Sequence, residues 1–240
     1  MGRGEHVNLL MWVMVIALAA VTLIGGAAAG GKSYIVVSML LVSYVLLPFF
    51  ILLERRRSPA RELVLLAVMI ALAVAARAAF VWIPNFKPMA AVVMIAGIAL
   101  GPSSGFVVGA LAALVSNFIF GQGPWTPWQM LSFGLCGLAF GILAKRGVIA
   151  RADWTGKMRM LAGLLGGLFV LFVAGPVLDT CSVFLMLSEV TLEGAAVIYL
   201  AGVPVNAMQA GATFLTLFLA GGPVLEKLRR VEVKYGLDLP

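Results

Sequence analysis

Histidine occurs once in this 240-residue chain, cysteine twice, and Asp and Glu together only 10 times. The lone histidine, His6, lies in the N-terminal tail, so no H-E-x-x-H site or histidine-based acid–base pair can be assembled. Cys136 and Cys181 lie in apolar segments with no Cys or His neighbour at metal spacing, and read as buried free thiols. There is no G-x-S-x-G, and no apolar segment carries two carboxylates at helical spacing. An intramembrane hydrolase would lack its base. These absences leave no catalytic residue, metal site or cofactor to expect.

Charge of either sign is also scarce: 11% of residues are charged and 62% hydrophobic, with a mean hydropathy of +1.09. A soluble domain of this size cannot hide that much apolar surface, so the class is an all-α integral membrane protein. The net charge is +7, but basic residues are not interleaved with aromatics in a patch, which speaks against nucleic acid.

Apolar runs bounded by charge and by Gly/Pro punctuation fall at about 8–29, 33–53, 61–82, 88–101, 104–120, 128–144, 160–188 and 195–221. A single helix over 88–120 would measure about 50 Å at about 1.5 Å per residue, against a hydrocarbon core of about 30 Å. Gly101-Pro-Ser-Ser-Gly105 supplies a break. Gly175-Pro176 raises the opposite question for 160–188. The placement of Lys and Arg decides both. With about eight spans and both termini cytoplasmic, Arg3, the cluster Arg55–Arg61, the cluster Lys145–Arg159 and the cluster Lys227–Lys234 all fall inside. Only Lys32 and Lys87 fall outside, and Arg77 lies within a span. Fusing 88–120 or dividing 160–188 would place a large basic cluster outside. The 160–188 span is therefore expected to be long and kinked at Pro176.

The basic run Glu54–Arg61 is the main hinge. It divides the chain into an accessory N-terminal transmembrane hairpin with its linker, 1–59, a six-helix core, 60–225, and a basic cytoplasmic tail, 226–240. The first span could instead be a signal peptide with Ala27-Ala-Ala29 as its cleavage site, which would leave the downstream orientation unchanged. Gly26-Ala-Ala-Ala-Gly-Gly-Lys-Ser33 matches the phosphate-loop pattern, but that mechanism needs a preceding strand and an acidic magnesium partner. Here the match joins two membrane spans, so this chain is not expected to hydrolyse ATP.

The loop Gly121-Gln-Gly-Pro-Trp-Thr-Pro-Trp-Gln-Met130 carries no charge, yet offers rigid aromatic surface and amides, the chemistry of a lid or pocket wall. Trp in an interfacial belt is its plainer alternative. Arg77 sits about five residues from the outer end of its span, where an intramembrane Arg by default marks a cavity or a partner. Asp179, in the outer half of the seventh span, is a candidate partner; a structural ion pair and a ligand contact are both open. Asn117 ends the fifth span on the outside, and Asn206 and Gln209 share a face of the last one. These groups converge on the outer half, with no comparable polar set within. That asymmetry suits an outward-facing pocket better than a channel, which needs polar groups along its length. Ala67, Ala71, Ala75 and Ala79 recur every four residues and form either an internal helix seam or a smooth docking face.

The ordered combination over 60–225 resembles the substrate-binding S component of an energy-coupling factor (ECF) transporter. It comprises six core spans, the Ala-x-x-x-Ala first core helix, the outer loop Ile83-Pro-Asn-Phe-Lys-Pro88, and a short second core helix before Gly101-Pro-Ser-Ser-Gly105. Trp-Thr-Pro-Trp-Gln in the loop and Gly202-Val-Pro-Val-Asn206 look like stretches of one vitamin-type branch. The N-terminal hairpin departs from the six-span pattern. The resemblance implies a high-affinity binding protein for a vitamin-like small molecule in a prokaryotic plasma membrane. Its partners would be a transmembrane coupling subunit and two cytoplasmic ATPase subunits, with Ala67, Ala71 and Ala75 sliding against the former. Loops 83–88 and 121–130 would close over the substrate, making Arg77, Asn85, Asn117, Gln122, Trp125, Trp128, Gln129, Asp179, Asn206 and Gln209 the expected binding residues. A large flat ligand fits; a corrinoid of the cobalamin type comes first, with a flavin or pterin also suited. A stand-alone secondary transporter or channel is the alternative, but expects an embedded acid or an inverted repeat. A ligand-free scaffold is a third reading.

Overall fold

Gly101 adopts φ 90° and ends one helix while Pro102 begins the next, so the 88–120 run is two helices, as its length demands. Few L-residues tolerate that φ, and proline at the first helical position loses only an N–H that has no intrahelical partner. The computed structural model describes residues 3–28, 36–37, 39–44, 46–47 and 60–235. Gly30–Ser33 of the phosphate-loop match, the linker 54–59, residues 236–240 and much of the second apolar run lie outside the described residues.

Among the described residues every regular element is helical. These are α1 (Arg3–Ala28), α2 (Ala60–Ala79), α3 (Met89–Leu100), α4 (Pro102–Phe120), α5 (Thr126–Lys145), α6 (Gly156–Phe169), α7 (Gly175–Met186), α8 (Leu192–Thr216) and α9 (Gly222–Tyr235). Short helical pieces at 36–37, 39–44 and 46–47 follow α1. The segments Glu62–Ala79, Pro102–Phe120, Thr126–Lys145, Gly156–Met186 and Leu192–Tyr235 are long and apolar enough to cross a membrane, and Val13–Gly26 and Met89–Leu100 are shorter apolar helices. The protein is a multi-pass helical membrane protein.

α3 is the centre of the bundle, with all its residues buried. Its close packing on α4 and α5 comes from glycine rather than alanine. A Cβ on Gly97 would lie 2.1 Å from the Gly137 carbonyl oxygen, and one on Gly109 would lie 2.3 Å from that of Phe133. Gly105 and Gly137 abut in the same way. In lipid, where burial brings no hydrophobic gain, such backbone contact supplies the dispersion energy that holds helices together. α2 packs through Leu65, Met69 and Ala73. Ala67, Ala71, Ala75 and Ala79 sit on its opposite, exposed face, so the alanine stripe is not a seam among the described residues.

The kink expected at Pro176 takes the form of a π-helical turn, Val170–Ala174, immediately before Gly175-Pro176. A widened turn accommodates the proline ring that would otherwise strike the carbonyl four residues back. The same device recurs at Leu217–Gly221, before Gly222-Pro223. There the sequence expectation needs correcting. The last span does not stop at 221, because the chain runs as helix from Leu192 through Tyr235. Leu225 and Leu228 remain buried on this extension, which keeps the charged stretch helical beyond the apolar run.

Candidate functional site

α2, α4 and the loop into α5 meet at the end that the charge distribution assigns to the outside. Arg77, near the end of α2, donates through Nη1 to Ser116 Oγ (2.6 Å) and to Asn117 Oδ1 (2.9 Å) on α4. Its guanidinium also lies over the Phe120 ring, 4.7 Å from the centroid. Asn117 Nδ2 donates onward to Thr126 Oγ1 (2.9 Å), which donates to Gln122 Oε1 (2.8 Å). Gln122 Nε2 returns to the Leu114 carbonyl at 3.1 Å. Ser116, Asn117 and Thr126 are buried, so this is a satisfied polar chain that ties the outer loop to two helices.

Arg77 thus has neutral acceptors only; no ion pair with a carboxylate is formed among the described residues. The pairing of Arg77 with Asp179 considered from sequence is not made. Lys87, half-buried in the loop before α3, is a second cation close by. Burial pushes its ammonium below the ordinary lysine value, and the charge of Arg77 pushes it further.

Asp179 belongs to a separate cluster between α7 and α8. Asn206 Nδ2 donates to Asp179 Oδ2 at 2.7 Å. Two glycines make room for this contact. A Cβ on Gly202 would lie 2.5 Å from Asp179 Oδ1, and one on Gly175 would lie 2.4 Å from the Asn206 amide carbon. Next to Asp179, Thr180 Oγ1 lies 2.7 Å from Tyr199 Oη, two turns before Asn206 on α8. Gln209 is half-buried, and its side chain makes no hydrogen bond among the described residues.

α5 runs between the two clusters. Thr126 belongs to the first; Trp128, fully buried, packs its ring 5.8 Å from that of Phe184 on α7. Ser132 Oγ donates to the Ala174 carbonyl at 2.9 Å, reaching the π turn. Between Trp128 and Ser132, the Oε1 of Gln129 is buried without a hydrogen-bond partner. Trp125 is 40% exposed, with its ring folded over Gly123. Asn85 is exposed and turns the 80–88 loop at φ 59°, beside the Phe80–Phe86 ring pair.

Of the residues expected from sequence, the structure brings Arg77, Asn117 and Gln122 into one chain, and Asp179 and Asn206 into another. Trp128 and Gln129 lie between them, Trp125 and Asn85 in exposed loops. Sequence reasoning missed Ser116, Thr126, Phe120 and Lys87. Hydroxyls adjoining amides in otherwise apolar helices were the available signal.

These polar side chains are set into an otherwise apolar helical bundle. A family model for the S component of ECF-type riboflavin transporters matches residues 58–225, and the chain belongs to that family. The family consists of transporter substrate-binding components. No solved structure matches the chain.

Proposed function

We propose that this chain captures a flat, heteroaromatic vitamin, with a flavin as first choice, from the outer face of a prokaryotic plasma membrane. It then releases the ligand inward by reorienting against a coupling subunit driven by two cytoplasmic ATPases. Family membership supports the transport role. The observation that carries the substrate reading is the buried, unpartnered Oε1 of Gln129, in the first turns of α5. A buried acceptor left unsatisfied costs about 1–3 kcal/mol, a deficit that a ligand N–H offsets. A flavin ring carries one imide N–H flanked by two carbonyls. Gln129 would accept from the N–H, Arg77 and Lys87 would face electron-rich ligand oxygen, and Trp125 would cover the ring as a lid. Asn85, Asn117, Gln122, Asp179, Asn206 and Gln209 complete the proposed wall.

The corrinoid placed first from sequence becomes the second reading, favoured by the amide-rich stretch Gly121–Met130, since its periphery is lined with carboxamides. Titration of the purified chain with riboflavin, followed by loss of flavin fluorescence, separates the two. Saturable quenching is expected. Absence of quenching together with tight retention of cobalamin would replace the flavin with the corrinoid, and binding of neither would remove the reading. Concentrative uptake by this chain alone in liposomes would remove the ATP-driven mechanism.

A further inference from the structure

A second group of polar side chains lies at the opposite end of the bundle. The segment between α5 and α6 and the start of α9 enclose a cavity of about 360 Å³, whose lining includes Arg151, Asp153, Trp154, Arg159, Glu226 and Arg229. A second cavity of about 280 Å³ shares Arg151 and Arg229 and is bordered by Glu232. Together they form a groove at the inner ends of α5, α6 and the last helix.

The groove has fixed walls. Trp154 is buried with its ring seated on Gly221, where a Cβ would lie 2.4 Å from the indole. Its Nε1 donates to the Ala150 carbonyl, and Arg159 Nε donates to the Trp154 carbonyl at 3.2 Å. The loop is therefore pinned to the π turn Leu217–Gly221, and Arg159 is held in place before any ligand arrives. Arg151, Arg159 and Arg229 make no direct ion pair with a carboxylate among the described residues, although Glu232, on the smaller cavity, attracts Arg151 and Arg229 from further off. Glu226 is engaged instead by Arg230, one turn along α9. The surrounding inner segments are strongly basic: Lys145, Arg146, Lys157, Lys227, Arg230 and Lys234 add to the three arginines, against Asp153, Glu226 and Glu232.

We propose that this groove is a binding site for a phosphate-ester anion, independent of the outer vitamin site. Arginine's planar fork matches phosphate oxygens in pairs, and the three guanidiniums outnumber the two carboxylates, Asp153 and Glu226, that line the larger cavity. The charge-derived orientation sets the groove at the depth of inner-leaflet headgroups, where basic pockets between membrane helices take up phosphate.

The test uses the full chain in detergent. Native mass spectrometry and thermal unfolding are followed with phosphatidylglycerol, with phosphatidylcholine, and with inorganic phosphate against chloride at equal ionic strength. Retained phosphatidylglycerol and a raised Tm are expected, with phosphatidylcholine weaker. The double variant R151Q/R229Q should lower retention about tenfold or more, since each basic group near an anionic surface contributes roughly a factor of five. The charge-matched variant K227Q/K234Q, outside the groove, should retain the lipid. Stabilisation by inorganic phosphate alone that vanishes in R151Q/R229Q would support the same site with a soluble ion as its source. Equal losses in both variants, or no phosphate-dependent effect, would overturn it. So would unaltered lipid binding in R151Q/R229Q accompanied by failure to join the coupling subunit, which would make the groove a protein contact.

Discussion

Arg77 and Asn117 are joined across α2 and α4 by a 2.9 Å hydrogen bond whose acceptor is neutral, so the guanidinium keeps its full charge at the outer end of the bundle. Asn117→Asp converts this bond into an ion pair. It should raise Tm while weakening binding of the vitamin by about tenfold, because the cation is then answered from within. Unchanged affinity with raised Tm would show that Arg77 serves packing alone.

Lys87 gives the outer site a pH dependence. Its ammonium is depressed by burial first and by Arg77 second, so the unfolded chain binds more protons than the folded one between the lowered value and the ordinary lysine range. Stability should therefore rise with pH through that alkaline window. Lys87→Gln should remove the rise and stabilise the protein at neutral pH. Denaturation midpoints measured at a series of alkaline pH values for both chains check the sign.

The loop expected over Gly121–Met130 is helical from Thr126 onward, so Trp125 lies in the loop and Trp128 in α5, and the two should separate in their effects. Trp128 is fully buried against Phe184, so Trp128→Ala should destabilise the protein by about 3–5 kcal/mol. Trp125 is exposed, and Trp125→Ala should leave Tm nearly unchanged while weakening binding by roughly 1–3 kcal/mol. Calorimetric unfolding and ligand titration of each variant distinguish the two outcomes.

Gly202 is tied to Asp179 by space. Gly202→Ala brings a Cβ to 2.5 Å from the carboxylate and should destabilise the α7–α8 contact. Asp179→Ala in the same chain removes the obstacle, so the double variant should be more stable than Gly202→Ala alone. Additive losses across that double-mutant cycle would place the strain elsewhere.

Ala71 lies on the exposed face of α2, away from Leu65, Met69 and Ala73. Ala71→Leu should leave folding and vitamin affinity intact and abolish co-purification with the coupling subunit. Normal assembly would take the stripe out of the docking face.

The spans were legible because their ends carry local chemistry, Gly101-Pro102 and the basic clusters, while Gly175-Pro176 marks a π turn inside one span. The partner of Arg77 was not. Sequence reasoning looks for opposite charge, whereas the helix geometry offered Ser116 and Asn117, two neutral groups adjacent in an apolar run. The glycine seam was equally hidden. Gly97, Gly105, Gly109 and Gly137 read singly as weak points, and only the relative rotation of three helices makes them one surface. The extension of the last helix escaped because charge ends an apolar run without ending a helix; Leu, Glu, Lys and Arg, all good helix formers, make up most of 225–235, and it has no Gly or Pro.

That extension has a mechanical consequence. Asn206, bound to Asp179, and Arg229, in the inner groove, lie on one continuous helical rod, about 35 Å apart at about 1.5 Å per residue. Trp154, wedged against Gly221 between them, acts as a fulcrum. A tilt of about 5° about Gly221 would swing Asn206, about 22 Å away, by about 2 Å and Arg229, about 12 Å away, by about 1 Å. The seat of Trp154 on Gly221 therefore sets the point about which the last helix would turn, and the π turn Leu217–Gly221 lies at that point.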